Sequence, residues 1–451
     1  MINLKSALRA TTRDQIAFAG SGGKTTSIFT LARQFSCPVL ITTSTHLGSW
    51  QAHLADHHFI IREKESLDLE TIDGVVLVTG EPVVENRLSE VSPSVLGDLY
   101  QISKYRQIPL LIEADGSHQK PIKAPASHEP AIPSWVNKVV YCLGLSGYGA
   151  PLSEYCVHRH EIFSTLTGLK IGAPINQTAL INYITHPSGA RKNIPGQSLK
   201  YLLLTQANRE DLRSIASGIA RKISGIFDGV LIQSENTDEN LNNTSSNPLI
   251  TTNILAVYEP IAGIVLAAGS ASRYGEAKML VEWNGKPLIR HIVEQGLAAC
   301  LSSVIIVTGC FDSNIRNAVE GLNVQVVHNP NWEEGVSSSI RVGLQRISSN
   351  VGATLFILAD QPFQNSQLIE TLVDHHRQSL SPIIAPMVEG KRGNPVLFDR
   401  VTFPDLMNLR GDIGGRGIFS KYPIQWIDWY DSRVMIDIDT PDDYQHSLEF
   451  I

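Results

Sequence analysis

Short apolar stretches recur along the chain, and longer segments with the spacing of amphipathic helices separate them. Clear examples lie at residues 16–19, 110–114 and 139–143 in the first half, and at 264–267, 304–308 and 355–359 in the second. Runs of this length that alternate with helical patterns are typical of βαβ units and a mostly parallel sheet. The pattern therefore predicts an α/β fold for both halves.

The hydrophobic periodicity stops between residues 233 and 253, where the chain reads QSENTDENLNNTSSNPLITTN. Asn, Ser, Thr and acidic residues cannot bury enough apolar surface to order such a segment. We therefore predict a flexible linker over 233–258, between a domain of residues 1–232 and one of residues 259–451. Two domains also suit the length of 451 residues, because single domains usually have about 100–200.

Composition narrows the class of partner. The net charge is -7 from 37 basic and 44 acidic side chains, and no basic run is interleaved with aromatic residues, so nothing predicts nucleic-acid binding. The five cysteines show no CxxC spacing, which argues against a disulfide framework or a zinc site. With no apolar signal-type core and no membrane-length apolar stretch, we expect a cytoplasmic protein that acts on small molecules, without a membrane partner.

A glycine-rich loop, LAAGSASRYGEAK (266–278), follows an apolar run in the second half. Backbone N–H groups of such a loop converge on phosphate oxygens, and an arginine and a lysine add the countercharge. We expect Arg273 and Lys278 to be catalytic. The expected nucleotide contacts of the loop are Leu266, Ala267, Ala268, Gly269 and Ser270.

Asp360 follows the apolar run ATLFILA (353–359), at the carboxyl end of a predicted strand. Ligand sites of open α/β sheets lie at such ends, and Mg²⁺ prefers one or two carboxylates together with phosphate oxygens. Asp360 is therefore the predicted catalytic metal ligand, with a simple turn residue as the alternative. Asp439, or almost equally Asp437, is the second ligand after a predicted strand at 435–438, unless both only cap the next helix.

Further motifs follow in order: EGVSSSIRVGL (334–344), FILADQPF (356–363), RGNPVLF (392–398), LRGDIGGRGIF (409–419) and DIDTPDDY (437–444). Together with the loop they resemble the MobA-like nucleotidyltransferases, especially the molybdenum cofactor cytidylyltransferases, from residue 261 onward. The resemblance implies a Rossmann-like, GT-A-like fold. It also implies transfer of CMP from CTP to Mo-molybdopterin with release of pyrophosphate, and Mg²⁺ as cofactor.

Individual site residues follow from this resemblance. Ala267 and Ala268 resemble the cytidylyltransferase form of the loop rather than the Gly-Gly of guanylyltransferases. Ser338 and Arg341 are implied to contact the nucleotide, with helix capping and a surface salt bridge as the alternatives. The implied acceptor-binding residues are Asn394, Pro395, Asp412 and Arg416, the last alternatively a surface arginine. A guanylyltransferase or a sugar-phosphate nucleotidyltransferase is the alternative activity.

The first half also opens with a strand, a glycine loop and a helix, in QIAFAGSGGKTTSIFTLARQF (15–35). This order predicts a P-loop-like site for ATP or GTP, although Phe18 replaces the first Walker glycine and the spacing resembles the loop of Mur ligases. Lys24 would meet the β- and γ-phosphates, and Thr25 the Mg²⁺. The full predicted site is Gly20, Gly22, Gly23, Lys24, Thr25, Thr26, Glu113 and Asp115, although Asp115-Gly116 is alternatively a turn.

The segments SHQKPIKAPASHEPAIP (117–133), CVHRHEIF (156–163) and TQAN (205–208) resemble the YqeC-like accessory proteins of selenium-dependent molybdenum hydroxylases. This resemblance covers residues 1–232 and implies a role in maturation, with an apo molybdenum hydroxylase as a partner, but no particular reaction. Lys120 and Lys123 either bind an anionic substrate or are solvated loop lysines. A nucleotide-gated cofactor chaperone is the alternative to a bifunctional enzyme.

Overall fold

The computed structural model of the protein describes residues 2–62, 73–83, 86–116, 119–236, 251–269 and 277–450. The chain divides into two compact units, Met1–Tyr258 and Glu259–Ile451. Among the described residues, no helix combines the length and the apolar character that a bilayer crossing requires.

The first unit is an α/β structure. Its strands are β1 (Gln15–Gly20), β2 (Val39–Thr43), β3 (Leu47–Gly48), β4 (His57–Ile60), β5 (Val75–Thr79), β6 (Pro82–Val83), β7 (Arg87–Leu88), β8 (Leu110–Glu113), β9 (Ile122–Lys123), β10 (Lys138–Gly144), β11 (Val157–His158), β12 (Leu199–Thr205), β13 (Gly229–Asn236) and β14 (Thr251–Tyr258). Its helices are α1 (Leu4–Ala7), α2 (Lys24–Ala32), α3 (Pro93–Arg106), α4 (His160–Thr167), α5 (Gln177–Thr185) and α6 (Glu210–Lys222).

The main sheet of this unit has the strand order β14-β13-β12-β10-β1-β8-β2-β5-β4. Strand β1 lies between β8 and β10, parallel to both, and all of its residues are buried. Continuous apolar runs suit strands that are covered on both faces. Because β8, β1, β10, β12 and β13 run in parallel, their carboxyl ends meet at one edge of the sheet.

The second unit is also α/β. Its strands are β15 (Ile261–Ala267), β16 (Glu282–Trp283), β17 (Lys286–Pro287), β18 (Ser303–Thr308), β19 (Gln325–His328), β20 (Ala353–Leu358), β21 (Ile383–Val388), β22 (Lys391–Arg392), β23 (Val396–Asp399) and β24 (Ile424–Asp428). Its helices are α7 (Leu288–Ala298), α8 (Asp312–Ala318), α9 (Val336–Leu344), α10 (Ser366–Ser379), α11 (Phe403–Met407) and α12 (Pro441–Leu448).

The sheet of the second unit has the order β19-β18-β15-β20-β23-β21-β22, and β24 pairs with β21. Strand β15 is central and parallel to its neighbours β18 and β20, whereas β23 is antiparallel to β20 and β21. Side chains of β15 alternate between two cores, with Val265 in one and Ile264 in the other. The carboxyl end of β15 therefore leads the glycine loop out of a rigid, doubly covered sheet.

Two sequence predictions about element positions are wrong. Residues 233–236 and 251–258 are not linker, because they belong to β13 and β14, which pair antiparallel at the edge of the first sheet. Apolar side chains such as Ile254 and Val257 are buried there, so the first unit extends to residue 258. The predicted strand at 435–438 is instead the end of a 3₁₀ turn, Ser432–Met435, and the chain beyond it; the strand of this region is β24.

Candidate functional site

A lysine and two carboxylates meet at the carboxyl edge of the second sheet. The Lys278 ammonium lies 2.9 Å from Oδ2 of Asp360 and 2.8 Å from Oδ1 of Asp439. Burial lowers the pKa of Lys278, but Asp360 and Asp439 raise it further, so the net shift is upward. The ammonium therefore stays charged and holds the two acids at a single point.

The surrounding backbone explains why these acids converge. Asp360 follows β20, and its carbonyl accepts a hydrogen bond from the N–H of Ile438 at 2.9 Å, which ties the two segments together. Capping of α12 falls to Thr440 and Asp443, which form a capping box. Asp439 is thus left facing Lys278, one residue before the helix cap.

Two adjoining cavities lie above this edge. One has a volume of about 460 Å³ and is lined by Leu266, Ala268, Gly269, Lys278, Met279, Trp332, Glu333, Gly335, Val336, Ser339, Leu358, Asp360, Asp412 and Asp439. The other, of about 300 Å³, is lined by Leu266, Val336, Ile340, Phe356, Leu358, Arg392, Asn394, Val396, Phe398, Asp412, Gly414, Gly415, Arg416 and Phe419. The two cavities share lining residues, among them Leu266 and Asp412, and therefore lie directly beside each other.

The second of these cavities is basic. Burial, and then the nearby Arg416, lowers the pKa of Arg392. The Arg392 guanidinium lies over the ring of Phe419, 5.3 Å from its centroid. Two arginines at one apolar wall are suited to an anionic ligand, since a guanidinium can donate two parallel hydrogen bonds to a phosphate or carboxylate.

The first unit places a lysine against carboxylates in the same way. Helix α2 begins at Lys24, directly after glycines 22 and 23, which both have positive φ. The Lys24 ammonium donates to the carbonyl of Gly20 at 2.7 Å and lies 3.2 Å from Oδ1 of Asp115 and 3.9 Å from Oε1 of Glu113. Burial lowers the pKa of Lys24, and Asp115 and Glu113 more than offset this.

Thr25 completes the arrangement at the start of α2. Its hydroxyl donates to Oε2 of Glu113 at 3.1 Å and accepts from Nε2 of Gln51 at 3.1 Å. Burial raises the pKa of Glu113, although Lys24 and Thr25 counteract the effect. A hydroxyl held by an acid from the neighbouring strand is the arrangement in which P-loop proteins bind Mg²⁺.

Buried charges continue from the loop into the domain. Asp115 also lies 3.1 Å from the ammonium of Lys123, which lies 3.0 Å from Glu129, and Glu129 lies 2.6 Å from Arg159. The pKa of Glu129 falls from 4.5 to about 2: burial raises it, and hydrogen bonds from the N–H of Ala126, from Arg159 and from Lys123 lower it by more. Opposite charges thus alternate from Lys24 to Arg159.

Comparisons with known proteins agree with both halves of this geometry. Residues 16–161 match the family model of the YqeC protein, and residues 263–425 match that of the MobA-like NTP transferase domain. The uncharacterized protein YqeC of Escherichia coli (strain K12) is 33% identical over 40% of this chain and 71% of that protein. The chain belongs to the YqeC family.

Its second unit carries a MobA-like nucleotidyltransferase domain, as the motifs predicted. The molybdenum cofactor cytidylyltransferase of E. coli (strain K12) is 22% identical over 40% of this chain and 92% of that protein. A probable molybdenum cofactor guanylyltransferase of Bacillus cereus (strain G9842) is 28% identical over 29% of this chain, and the match spans 64% of its length. Both resemblances predicted from sequence, to YqeC and to the MobA-like enzymes, are confirmed.

In the MobA-like domain, the structure brings together Lys278, Asp360 and Asp439, with Leu266, Ala268 and Gly269 in the lining of the same cavity. Ala267 is buried at the end of β15. Ser270 and Arg273 lie outside the described residues. Asp437 instead accepts a hydrogen bond from Gln361 at 2.7 Å, so the structure favours Asp439 over Asp437 as the partner of Asp360.

Ser338 and Arg341 are engaged elsewhere. The buried Ser338 hydroxyl donates to the carbonyl of Gly335 at 2.8 Å and accepts from Asn329 at 2.8 Å. Arg341 donates to the carbonyl of Leu409 at 2.6 Å and to Glu334 at 3.2 Å. Neither is among the residues that line the larger cavity, where Ser339 stands instead.

Asn394, Asp412 and Arg416 line the smaller cavity, as expected of acceptor-binding residues, and Pro395 is not part of that lining. The sequence reasoning missed Arg392, although it opens the motif RGNPVLF that had been singled out.

In the YqeC domain, Gly22, Gly23, Lys24, Thr25, Thr26 and Glu113 all line one cavity of about 850 Å³. Asp115 lies behind Lys24, and its Oδ2 accepts from the N–H of Gly20 at 3.1 Å, so it is more than a turn residue. Lys123 is neither a solvated lysine nor a free anion ligand, because it is only 1% exposed and lies between two acids. Gln51, which holds Thr25, was missed, since no sequence pattern relates the two.

Proposed function

We propose that the MobA-like domain transfers CMP from CTP to Mo-molybdopterin. A phosphate oxygen of the pterin attacks the α-phosphorus of CTP and forms a new P–O bond, while the bond between the α-phosphorus and its bridging oxygen breaks and pyrophosphate leaves with that electron pair. The observation that carries the proposal is the point where Lys278, Asp360 and Asp439 meet, at the floor of one cavity and beside a second, basic one.

The two acids fit a divalent metal ion. Their oxygens already converge on one cation, the Lys278 ammonium, at 2.9 and 2.8 Å, and two carboxylates with phosphate oxygens are the ligand set that Mg²⁺ prefers. Asp360 and Asp439 would hold the ion, which when bound offsets negative charge on the phosphate oxygens. Lys278 would then be released to contact the triphosphate.

The smaller cavity supports a phosphorylated acceptor. Arg392 and Arg416 supply positive charge, and Asn394 adds a polar side chain at the same wall. Because this cavity shares Leu266 and Asp412 with the larger one, an acceptor phosphate held there lies next to the nucleotide. In the proposal, Ala268, which lines the larger cavity, narrows the space beside the base, and this favours cytosine over guanine.

The test is a nucleotidyl-transfer assay with labelled CTP, GTP or ATP, Mg²⁺ and Mo-molybdopterin, read by the nucleotide attached to the pterin. We expect CTP to be the donor, and Asp360→Asn to lower the rate about a thousandfold, from roughly 4 kcal/mol of lost transition-state stabilisation. Asp428→Asn, an exposed acid of the same unit, is the matched control. Transfer from GTP alone would make the domain a guanylyltransferase, and more than a tenth of the activity left in Asp360→Asn would remove that residue from the mechanism.

For the YqeC domain, we propose binding of a nucleoside triphosphate with Mg²⁺ at Lys24 and Thr25, in support of molybdenum hydroxylase maturation. The loop offers the N–H groups of α2, and Glu113 holds the Thr25 hydroxyl that would contact the ion. We expect Lys24→Ala to abolish nucleotide binding at this site while transfer by the MobA-like domain continues. Loss of multiple-turnover hydrolysis in that variant would identify an NTPase, whereas loss of binding with no turnover in the wild type would identify a gated chaperone.

A further inference from the structure

The cavity of the YqeC domain extends well beyond its phosphate loop. Its volume of about 850 Å³ is near the upper end of small-molecule sites, which span about 300–1,000 Å³. The lining reaches the carboxyl ends of β12 and β13, where Gln206 and Glu235 stand. Neither residue has a part in the phosphate site described above.

The sheet order indicates which end of the cavity receives the nucleoside. Glu113, at the end of β8, holds Thr25, so a metal ion held by Thr25, and the terminal phosphates with it, would lie on the β8 side of β1. Because the triphosphate is a linear chain, the nucleoside at its other end extends to the opposite side of β1, where β10, β12 and β13 lie. The end of β12 adjoins the loop directly, because the Thr205 hydroxyl donates to the carbonyl of Gly22.

Two polar groups at this end have hydrogen-bonding capacity to spare. The backbone N–H of Glu235 donates to Oδ1 of Asn208 at 2.8 Å, which fixes the end of β13 against β12. Within the described part of the chain, the Glu235 carboxylate itself has no hydrogen-bond or ion-pair partner. The amide oxygen of Gln206 accepts from the Ser146 hydroxyl at 2.7 Å, and its Nε2 has no partner among the same residues.

These two groups match one base better than the others. Guanine presents two adjacent donors, N1–H and N2–H₂, beside the acceptor O6, whereas adenine presents an acceptor at N1. A carboxylate accepts both guanine donors and is repelled by the adenine N1 lone pair, and an amide N–H can donate to O6. We propose that Glu235 and Gln206 read the base and that the YqeC domain selects a guanine nucleotide. This inference rests on the proposed nucleotide site at Lys24.

The experiment measures equilibrium binding of non-hydrolysable GTP, ITP and ATP analogues to the full chain, counting only the binding that Lys24→Ala removes. ITP lacks the N2 amine, so it tests a single donor without any change to the protein. A hydrogen bond to a charged group is worth about 1.5–3 kcal/mol, and we therefore expect GTP to bind roughly 10- to 150-fold more tightly than ITP or ATP.

Glu235→Gln should weaken GTP binding by the same factor and make GTP and ITP equal. Xanthine carries a carbonyl at C2, which the new amide can donate to, so the XTP analogue should bind this variant better than it binds the wild type. Glu210→Gln, an exposed acid on α6 whose side chain is 88% exposed, is the matched control and should leave all affinities unchanged.

The outcomes separate the two proposals. Lys24-dependent binding with equal affinity for GTP, ITP and ATP would overturn the base assignment and leave the nucleotide site standing. Absence of any Lys24-dependent binding would overturn the nucleotide site itself, and the base assignment with it. The comparison of GTP with ITP in the wild type decides the matter even if Glu235→Gln folds poorly.

Discussion

Replacing Lys123 by methionine should destabilise the YqeC domain severely. The Lys123 ammonium lies 3.1 Å from Asp115 and 3.0 Å from Glu129, and the exposed fractions of the Lys123 and Asp115 side chains are each 1%. Methionine fills much of the same volume but removes the charge, so the buried Asp115 keeps only Lys24 and the partly buried Glu129 keeps only Arg159 as a cationic partner. Breaking a buried ion pair in this way costs about 3–5 kcal/mol.

The pKa of Glu129 makes this effect depend on pH. Its fall from 4.5 to about 2 reflects stabilisation of the ionised form, to which Lys123 contributes after the N–H of Ala126 and Arg159. Because the folded-state pKa is depressed, this stabilisation is complete above about pH 4.5 and is lost as the pH falls toward 2. In Lys123→Met the pKa of Glu129 should rise toward its ordinary value, so its carboxyl is protonated at a higher pH than in the wild type. The difference in the free energy of unfolding between the variant and the wild type should therefore become smaller at acid pH.

Amide hydrogen exchange with mass spectrometry is the suitable assay, because it reports on individual strands of one unit whatever the stability of the other. At pH 7, protection of β8 and β10 should fall by about two to three and a half orders of magnitude, which is the factor that 3–5 kcal/mol implies. At pH 4 the loss of protection in Lys123→Met, relative to the wild type, should be smaller than at pH 7. Lys170→Met, at an exposed lysine of the same unit, should change the free energy of unfolding by no more than about 0.5 kcal/mol. A loss in Lys123→Met that is equal at pH 7 and pH 4 would show that packing, not charge, is responsible.

Two glycines allow sharper tests of the sites than charge removal does. Gly335 has φ +99°, and a Cβ there would lie 2.6 Å from the backbone N of Asp412. We therefore expect Gly335→Ala to displace Asp412 and to lower the rate of nucleotidyl transfer at least about tenfold. Gly321 has φ +81° but faces open space, so Gly321→Ala should cost only the backbone strain of about 1–3 kcal/mol. In the first unit, a Cβ on Gly22 would lie 2.5 Å from a neighbouring backbone, whereas Gly149, also at φ +80°, faces open space. Gly22→Ala should therefore lose the nucleotide binding that depends on Lys24, and Gly149→Ala should retain it. Equal behaviour within either pair of glycine variants would contradict the steric argument.

The central strands could be predicted from the sequence because they are apolar throughout. Strands β1, β8 and β20 lie within one or two residues of the predicted positions. A strand that is covered on both faces is apolar along its whole length, so its sequence stands out from its surroundings. Asp360 was predicted for the same reason: it is the first charged residue after such a run. The pairing of Lys278 with Asp439 was out of reach, because their positions are brought together only by the tertiary fold.

The errors have a physical cause as well. The polar sequence QSEN predicts a linker at the end of β13, but these residues end a strand whose tip lines the cavity through Glu235. A strand that runs from a core into a binding site must change from apolar to polar residues along its length. The polar residues at the end of β13 therefore reflect its position beside a cavity. The prediction interpreted them as a sign of disorder and for that reason placed the domain boundary at residue 232 instead of residue 258.

Both units place a lysine against two acids at the carboxyl edge of a sheet. Lys24 lies against Glu113 and Asp115 at the end of β8, and Lys278 lies against Asp360 after β20 and Asp439 before α12. Carboxylates at such an edge repel one another unless a cation is present, and without a metal ion the lysine supplies that charge. In the proposed reactions, a triphosphate with Mg²⁺ would bring the ion that the acids need and the anion that the lysine needs. Each charged side chain would exchange one partner of opposite charge for another, so ligand binding need not leave any buried group unpaired. The side chains of Asp115 and Glu113 are 1% and 10% exposed, whereas those of Asp360 and Asp439 are 27% and 46% exposed. The exchange in the YqeC domain therefore requires more rearrangement, and we expect its nucleotide to bind and leave more slowly than the nucleotide of the MobA-like domain.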